Sequence, residues 1–250
     1  MSLLSGLAAY WSLNEASGIR FSHNGLNNLT DNNTVTGNPG VVGMASQLTF
    51  ANSEYLSIAD NPDVSIGNDA FTFAGWLYFD GGADDRVVIA QGYGASSASI
   101  LFRYRQSLNK FQLNVYDSSG AVKTINWSGA VSTSVWHFFV LRHDRANNLL
   151  SLKIDSAAEE TVSTAGFTVY DSSGVFYIGV IYTSILSDYW NGRLNSIGLW
   201  KRALSHREIT KLYNNKMGLA YPFDNYSRRL RHNRLVGNMS NTEQPSAARG

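Results

Sequence analysis

The groups able to move protons in this chain are five histidines and six glutamates, with aspartates placed mainly in turns. A retaining glycosidase needs two carboxyl groups ~5–5.5 Å apart, which alternate positions on one strand supply. Here Glu15, Glu54, Glu159, Glu160, Glu208 and Glu243 are scattered. The adjacent Glu159 and Glu160 would point to opposite faces of a strand. No Gly-x-Ser-x-Gly elbow and no phosphate-binding loop occurs; the glycine-rich stretch 92–97 has the wrong spacing and context for either. His137 and His143 share one face of an expected strand but lie three pleats apart, ~20 Å, too far to share a metal. The absence of cysteine removes disulfides, thiolate metal sites and cysteine nucleophiles. Catalysis is therefore not expected, and no catalytic residue is assigned.

Two acidic turns, Asp60-Asn61-Pro62-Asp63 and 80–85, could offer oxygens to a hard cation. Neither follows the ligand order of an EF-hand loop, so both read as solvated turns. Carbohydrate recognition has a different requirement. A sugar ring is apolar on its faces and polar at its rim, so it wants flat aromatic faces beside amides and carboxylates. The chain holds 6 Trp, 13 Tyr and 12 Phe with abundant Asn. Trp127 lies in Ile125-Asn126-Trp127-Ser128-Gly129, Tyr93 in a glycine-rich tip, and Tyr182 near a loop with Asp188, Tyr189 and Trp190. Trp127, Tyr93 and Tyr182 are expected to be exposed contacts, with Asn126 as an amide partner.

The elements that must position these groups are strands. Residues 71–79 are apolar on both alternating faces, as in a central strand covered on both sides. Phe111, Leu113 and Val115 share one face and Lys110, Gln112 and Asn114 the other; Ile100, Phe102 and Tyr104 repeat the pattern beside Arg103 and Arg105. Asp117-Ser118-Ser119-Gly120, Asp171-Ser172-Ser173-Gly174 and Arg145-Ala146-Asn147-Asn148 read as turns. One helix is expected: Ser205 and Glu208 form a capping box, and Ile209, Leu212 and Tyr213 fall on one face before Gly218. The pattern predicts an all-β, two-sheet antiparallel jelly-roll sandwich with one short C-terminal helix.

Three stretches carry a family likeness: residues 6–18 (GLAAYWSLNEASG), residues 135–142 (VWHFFVLR) running on to Lys153-Ile154-Asp155, and residues 191–205 (NGRLNSIGLWKRALS) followed by Glu208-Ile209 and Leu212-Tyr213-Asn214. Their order and spacing resemble the laminin-G-like, concanavalin-A-like jelly-roll family, over residues 5–222. The resemblance implies that Trp11, Trp76, Trp136 and Trp200 are core. It also implies a Ca²⁺ held by aspartates and carbonyls, but at the two expected acidic positions this chain has the Phe21-Ser22-His23-Asn24-Gly25 stretch and Asn195. Phe21 and Asn195 weaken such a site, and no cofactor is assigned.

The division expected is a jelly-roll domain over 1–222 and an Arg-rich polar tail over 223–250. Beyond Leu219 five arginines face two acids, a local +3 in a chain of net charge +1. Overall neutrality disfavours nucleic acid. Arg228, Arg229, Arg231 and Arg234 instead suggest assembly with other protein subunits. No apolar run reaches the ~18 residues of a membrane span, and no secretion signal is recognisable. The expected function is a non-catalytic recognition or assembly module at an extracellular or virion surface. The leading form is a structural protein of virion decoration or fibre type that also binds cell-surface glycans; the alternative is a free-standing carbohydrate-binding module, with a glycoside hydrolase behind both.

Overall fold

The structure is a computed structural model, and it describes residues 2–92 and 98–223. Its strands, in chain order, are β1 (Leu7–Trp11), β2 (Thr30–Asn32), β3 (Thr36–Pro39), β4 (Met44–Leu48), β5 (Tyr55–Ile58), β6 (Phe71–Phe79), β7 (Arg86–Gln91), β8 (Ile100–Arg105), β9 (Lys110–Tyr116), β10 (Val122–Asn126), β11 (Trp136–Asp144), β12 (Leu149–Ile154), β13 (Glu160–Ser163), β14 (Phe176–Ile178), β15 (Ile181–Tyr182), β16 (Leu186–Ser187) and β17 (Gly192–Trp200). The helix α1 (His206–Tyr213) follows β17.

They form an antiparallel sandwich. An eight-stranded sheet runs β13-β12-β11-β6-β17-β4-β3, with β1 also paired to β17; a seven-stranded sheet runs β10-β9-β8-β7-β14-β5-β2. The inward residues interdigitate as the alternation demands: Ile100, Phe102, Phe111, Leu113, Val115, Phe71 and Phe73 are all buried between the layers. Phe73 stacks on Phe176 with ring centroids 5.8 Å apart, joining the two sheets. Asp171–Gly174, expected as a turn, is irregular with a bend at Gly174, and the Ser172 amide donates to Ser99 Oγ at 2.9 Å.

β17 changes neighbours midway. On one edge its first residues, Gly192–Leu194, pair with β4, and its last, Ile197–Trp200, pair with β1. The register against β6 breaks between Asn195 and Gly198, and Ser196 has φ 54°. A bulge of this kind twists a strand and re-aims its side chains. Asn195 and Ser196 therefore sit where the sheet splits.

The outer faces differ. Over the eight-stranded sheet, α1 lays Ile209 and Leu212 against Trp76, Phe138 and Trp200, and Tyr213 stacks on Trp76 at 5.8 Å. The capping box is formed, and Arg202 Nη2 meets Glu208 Oε1 at 2.7 Å. Phe223, expected to open the tail, is instead buried in this cluster beside Tyr10 and Trp200, because its ring completes the cover that α1 leaves open. Among the described residues no helix covers the outer face of the seven-stranded sheet. The β15–β16 hairpin reaches over β7 there, beside Val87, Ala90 and Leu101.

Candidate functional site

The residues expected to make contacts separate into three groups. Trp127 is a correction: it is 8 % exposed and packs in the core on Phe111, centroids 6.0 Å apart. Its backbone amide still pairs with Phe111 O, so the strand direction continues for one residue and alternation turns the indole inward. Its face is closed to a sugar. Trp190, near the same expected loop as Tyr182, is likewise buried, against Phe79. Asn126 and Tyr182 are exposed, Tyr182 by 37 %. Tyr93 and Arg228, Arg229, Arg231 and Arg234 lie outside the described residues.

Asn126 belongs to a polar network on the outer face of the seven-stranded sheet, where Gln112 and Asn114 are buried and Asn126 is exposed. Gln112 Nε2 donates to Asn126 Oδ1 at 2.7 Å, and Gln112 Oε1 accepts from Arg103 Nε at 3.0 Å and Nη2 at 2.8 Å. Asp85 then meets Arg103 at 3.2 Å and Arg105 at 2.6 Å. Asn114 Nδ2 bridges Gln112 Oε1 and Tyr116 Oη, each at 3.3 Å. Two buried acceptors on this sheet, Asn114 Oδ1 and Gln91 Oε1, have no hydrogen-bond partner among the described residues. A small cavity of ≈ 170 Å³ lies beneath the hairpin, lined by Gln91, Leu101, Arg103, Tyr116, Ile181 and Thr183. Further along, Tyr55 meets Tyr177 and Tyr189 with centroids 6.1 Å apart in each pair. Burial and the neighbouring Asp85 raise Asp188 above the ordinary carboxylate range, against the pull of Arg103, Arg86 and Arg105. This side of the sheet thus brings amides, a guanidinium and phenols together, with Asn126 and Tyr182 exposed and Gln112 and Asn114 buried.

A family model described as the concanavalin A-like lectin/glucanases superfamily matches residues 50–210. The chain belongs to this superfamily. Solved structures agree on the fold of this concanavalin A-like chain. The binding domain of Paraclostridial Mosquitocidal Protein 1 superposes with TM-score 0.68 at 14 % identity, covering 84 % of this chain and 52 % of that one. The binding domain of botulinum neurotoxin DC, solved with rat synaptotagmin II, gives 0.66 at 11 % identity, covering 84 % and 51 %. Domain 4 of an extracellular arabinanase from Geobacillus stearothermophilus, solved with arabinotriose, gives 0.60 at 14 % identity, covering 82 % and 97 %. The chain spans about half the length of the toxin binding domains it matches. No curated protein matches it by sequence.

The calcium implied by the superfamily resemblance does not fit the residues present. Asn195 Nδ2 donates toward three backbone carbonyls, Ser12 O at 3.0 Å, Val42 O at 3.2 Å and Met44 O at 2.6 Å, while its Oδ1 accepts from Val42 N at 2.9 Å. Those carbonyls are oxygens a cation would need, and an amide N–H already holds them. Phe21 is exposed and offers no oxygen from its side chain. In the acidic turn at 60–63, the counterion is a lysine: Lys201 Nζ donates to Ser65 O in a cleft shared with Asp60, Asp69 and Asp171.

Glu54, Glu159, Glu160, His137 and His143 of this concanavalin A-like chain are engaged within the scaffold. Glu159 takes a two-point contact from Arg142, at 3.0 and 2.6 Å. Glu54 accepts from Thr49 N and Asn52, and Glu160 from Ser128. His137 joins Asp155 at 2.7 Å, but its other nitrogen faces the Ser132 carbonyl at 3.2 Å, where a nucleophile would have to stand. His143 is fully buried between Asp69 O and Thr164 Oγ1. What the sequence left unread is the partnership of Arg103, Gln112, Asn114 and Asp85. Alternation places Arg103, Gln112 and Asn114 on the face opposite Phe102, Phe111 and Leu113, but the sheet order is what brings them beside Asp85.

Proposed function

We propose that this domain is a non-catalytic recognition module that binds a glycan chain on the outer side of the seven-stranded sheet. The observation that carries the reading is the hydrogen-bonded network Asn126–Gln112–Arg103–Asp85, in which the buried Gln112 holds the exposed Asn126 in place, with Tyr116 and Tyr182 on the same sheet side. An exposed amide suits the rim hydroxyls of a sugar, and tyrosine rings suit its faces. Binding domains of the same fold, among them the arabinanase domain solved with arabinotriose, support it. A glycan array followed by titration with the best hit tests it. Asn126→Ala and Tyr116→Phe are each expected to weaken that hit about tenfold, ~1.4 kcal/mol, without loss of fold. An array without binders, or binding indifferent to both changes, would overturn the reading.

The display half of the proposal is a surface structural protein of virion decoration or fibre type, assembled through Arg228, Arg229, Arg231 and Arg234. Its support is the arginine-rich composition beyond Leu219. Mass photometry of the full chain against a truncation after Phe223 tests it, since Phe223 belongs to the core. An oligomer present in the first and absent in the second is expected; identical monomers would sink it.

A further inference from the structure

The loop between β1 and β2 turns apolar side chains to water. Arg20 and Ser22 are buried beneath it, and alternation leaves Ile19 and Phe21 outward, 51 % and 57 % exposed. Leu26, in the bend that follows, is 77 % exposed. Phe21 lines a cleft of ≈ 370 Å³ together with Val42, Ala220 and Tyr221, the last 39 % exposed. Scattered apolar residues on a surface need no explanation, but a group of them around one cleft marks an interaction surface.

The surface is held in shape by the loop's own hydrogen bonds. Phe21 N donates to Glu15 Oε1 at 2.9 Å and Ser22 N to Asn28 Oδ1 at 3.0 Å. Asn24 Oδ1 accepts from Ser22 Oγ at 2.8 Å and from Leu26 N at 3.1 Å. Phe21 and Leu26 are therefore presented in place, and little order is lost when a partner settles on them.

Charge narrows the partner. Among the described residues no lysine or arginine lines the cleft, and Glu15 does. Asp63 stands close to His23 and accepts from Asn27 Nδ2 at 2.9 Å. Burial holds His23 below its ordinary range even so, and the imidazole adds no positive charge at neutral pH. An apolar segment that carries cations is the complement. This chain contains one: Arg228-Arg229-Leu230-Arg231 and Arg234-Leu235-Val236 set leucines among arginines.

That segment starts beside the cleft. Tyr221 stacks on Tyr10 at 5.6 Å, and Phe223 meets Tyr221 at 5.6 Å. Leu230 is seven residues beyond Phe223, a reach of up to about 25 Å in an extended chain. Each chain has one such cleft and one such segment, so a pair that exchanges segments closes on a two-fold axis. The exchange sets the two copies cleft to cleft. It gives Ile19 and Leu26 an apolar counterpart on the other loop, which a segment folded back on its own chain would not supply. We propose that this cleft is the docking site for residues 228–236 of a second copy of the chain, with Leu230 between Phe21 and Tyr221 and the arginines facing Glu15 and Asp63. The inference rests on the assembly reading above and adds the surface on which those arginines land.

Mass photometry of the full chain and its variants reads the self-association. Phe21→Asp and Leu230→Asp are each expected to weaken it about tenfold, with Phe21→Asp leaving the melting temperature unchanged because the side chain is exposed. The chain has no cysteine, so chains carrying Phe21→Cys can be mixed with chains carrying Leu230→Cys and oxidised. A disulfide-linked heterodimer is the expected product. A monomeric full chain would sink the assembly reading and this inference with it. An oligomer that both aspartate variants leave intact, or a mixture that yields no heterodimer, would sink the inference alone. So would a chain carrying both cysteines that closes on itself as a monomer, since the docking would then lie within one copy.

Discussion

Asn195 joins Ser12, Val42 and Met44 through one side chain, at the split between β1 and β4. Asn195→Asp keeps the shape and reverses the chemistry, since a carboxylate would face three carbonyl oxygens. The expected loss is about 3 kcal/mol, read as a lower denaturation midpoint; an unchanged midpoint would show that the amide is dispensable. The family resemblance gave the warning that an acid is missing here, but not that a donor takes over its place. Trp127 was misread for a similar reason, since polar neighbours say nothing about which way an indole turns. A usable signal stood two residues on. A Cβ on Gly129 would lie 2.3 Å from the Trp127 ring, so the glycine makes room for the folded-in side chain. Gly129→Ala should therefore cost about 1–3 kcal/mol, checked by the same denaturant titration.

At the scale of the element, α1 was readable in the sequence because its signals are local. Ser205 and Glu208 are three residues apart, and the apolar stripe recurs within two turns. Strand alternation in β8 and β9 was readable for the same reason. The neighbour exchange along β17 was not, because nothing within residues 192–200 names β4 or β1 as partner. Within α1, the hydrogen bond from Arg202, helped by the Ser205 amide and hydroxyl against the opposing effect of burial, holds Glu208 at about 2, below its usual 4.5. A depressed carboxylate stabilises the fold above its unfolded value and loses that contribution as pH falls from about 4.5 toward 2. Glu208→Gln should be less stable at neutral pH by roughly 1–3 kcal/mol, screening included, and its stability should fall less steeply across that acid range. Thermal melts from pH 7 to pH 2 decide it; parallel curves for the two proteins would refute the assignment.

For the whole molecule, the two sheets differ in what protects them. β6 and β17 are long, buried strands at the centre of the eight-stranded sheet, while β15 and β16 hold two residues each at its partner's open face. Amide exchange should be slowest in β6, β11 and β17 and fast in the β15–β16 hairpin. Slow exchange in that hairpin would mean the face is covered in solution. The sandwich itself was legible from periodicity and the three ordered stretches. Which face stays bare depends on where one short helix docks, and that is a long-range outcome.

Trp200 Nε1 donates to Leu3 O at 2.7 Å, Arg202 grips Ser2 O and Ser5 O, and Leu3 shares one apolar cluster with Phe223. Both margins of the domain are thus clasped at a single corner. A tether pulling on the two margins together would load that corner and leave the sandwich unstretched.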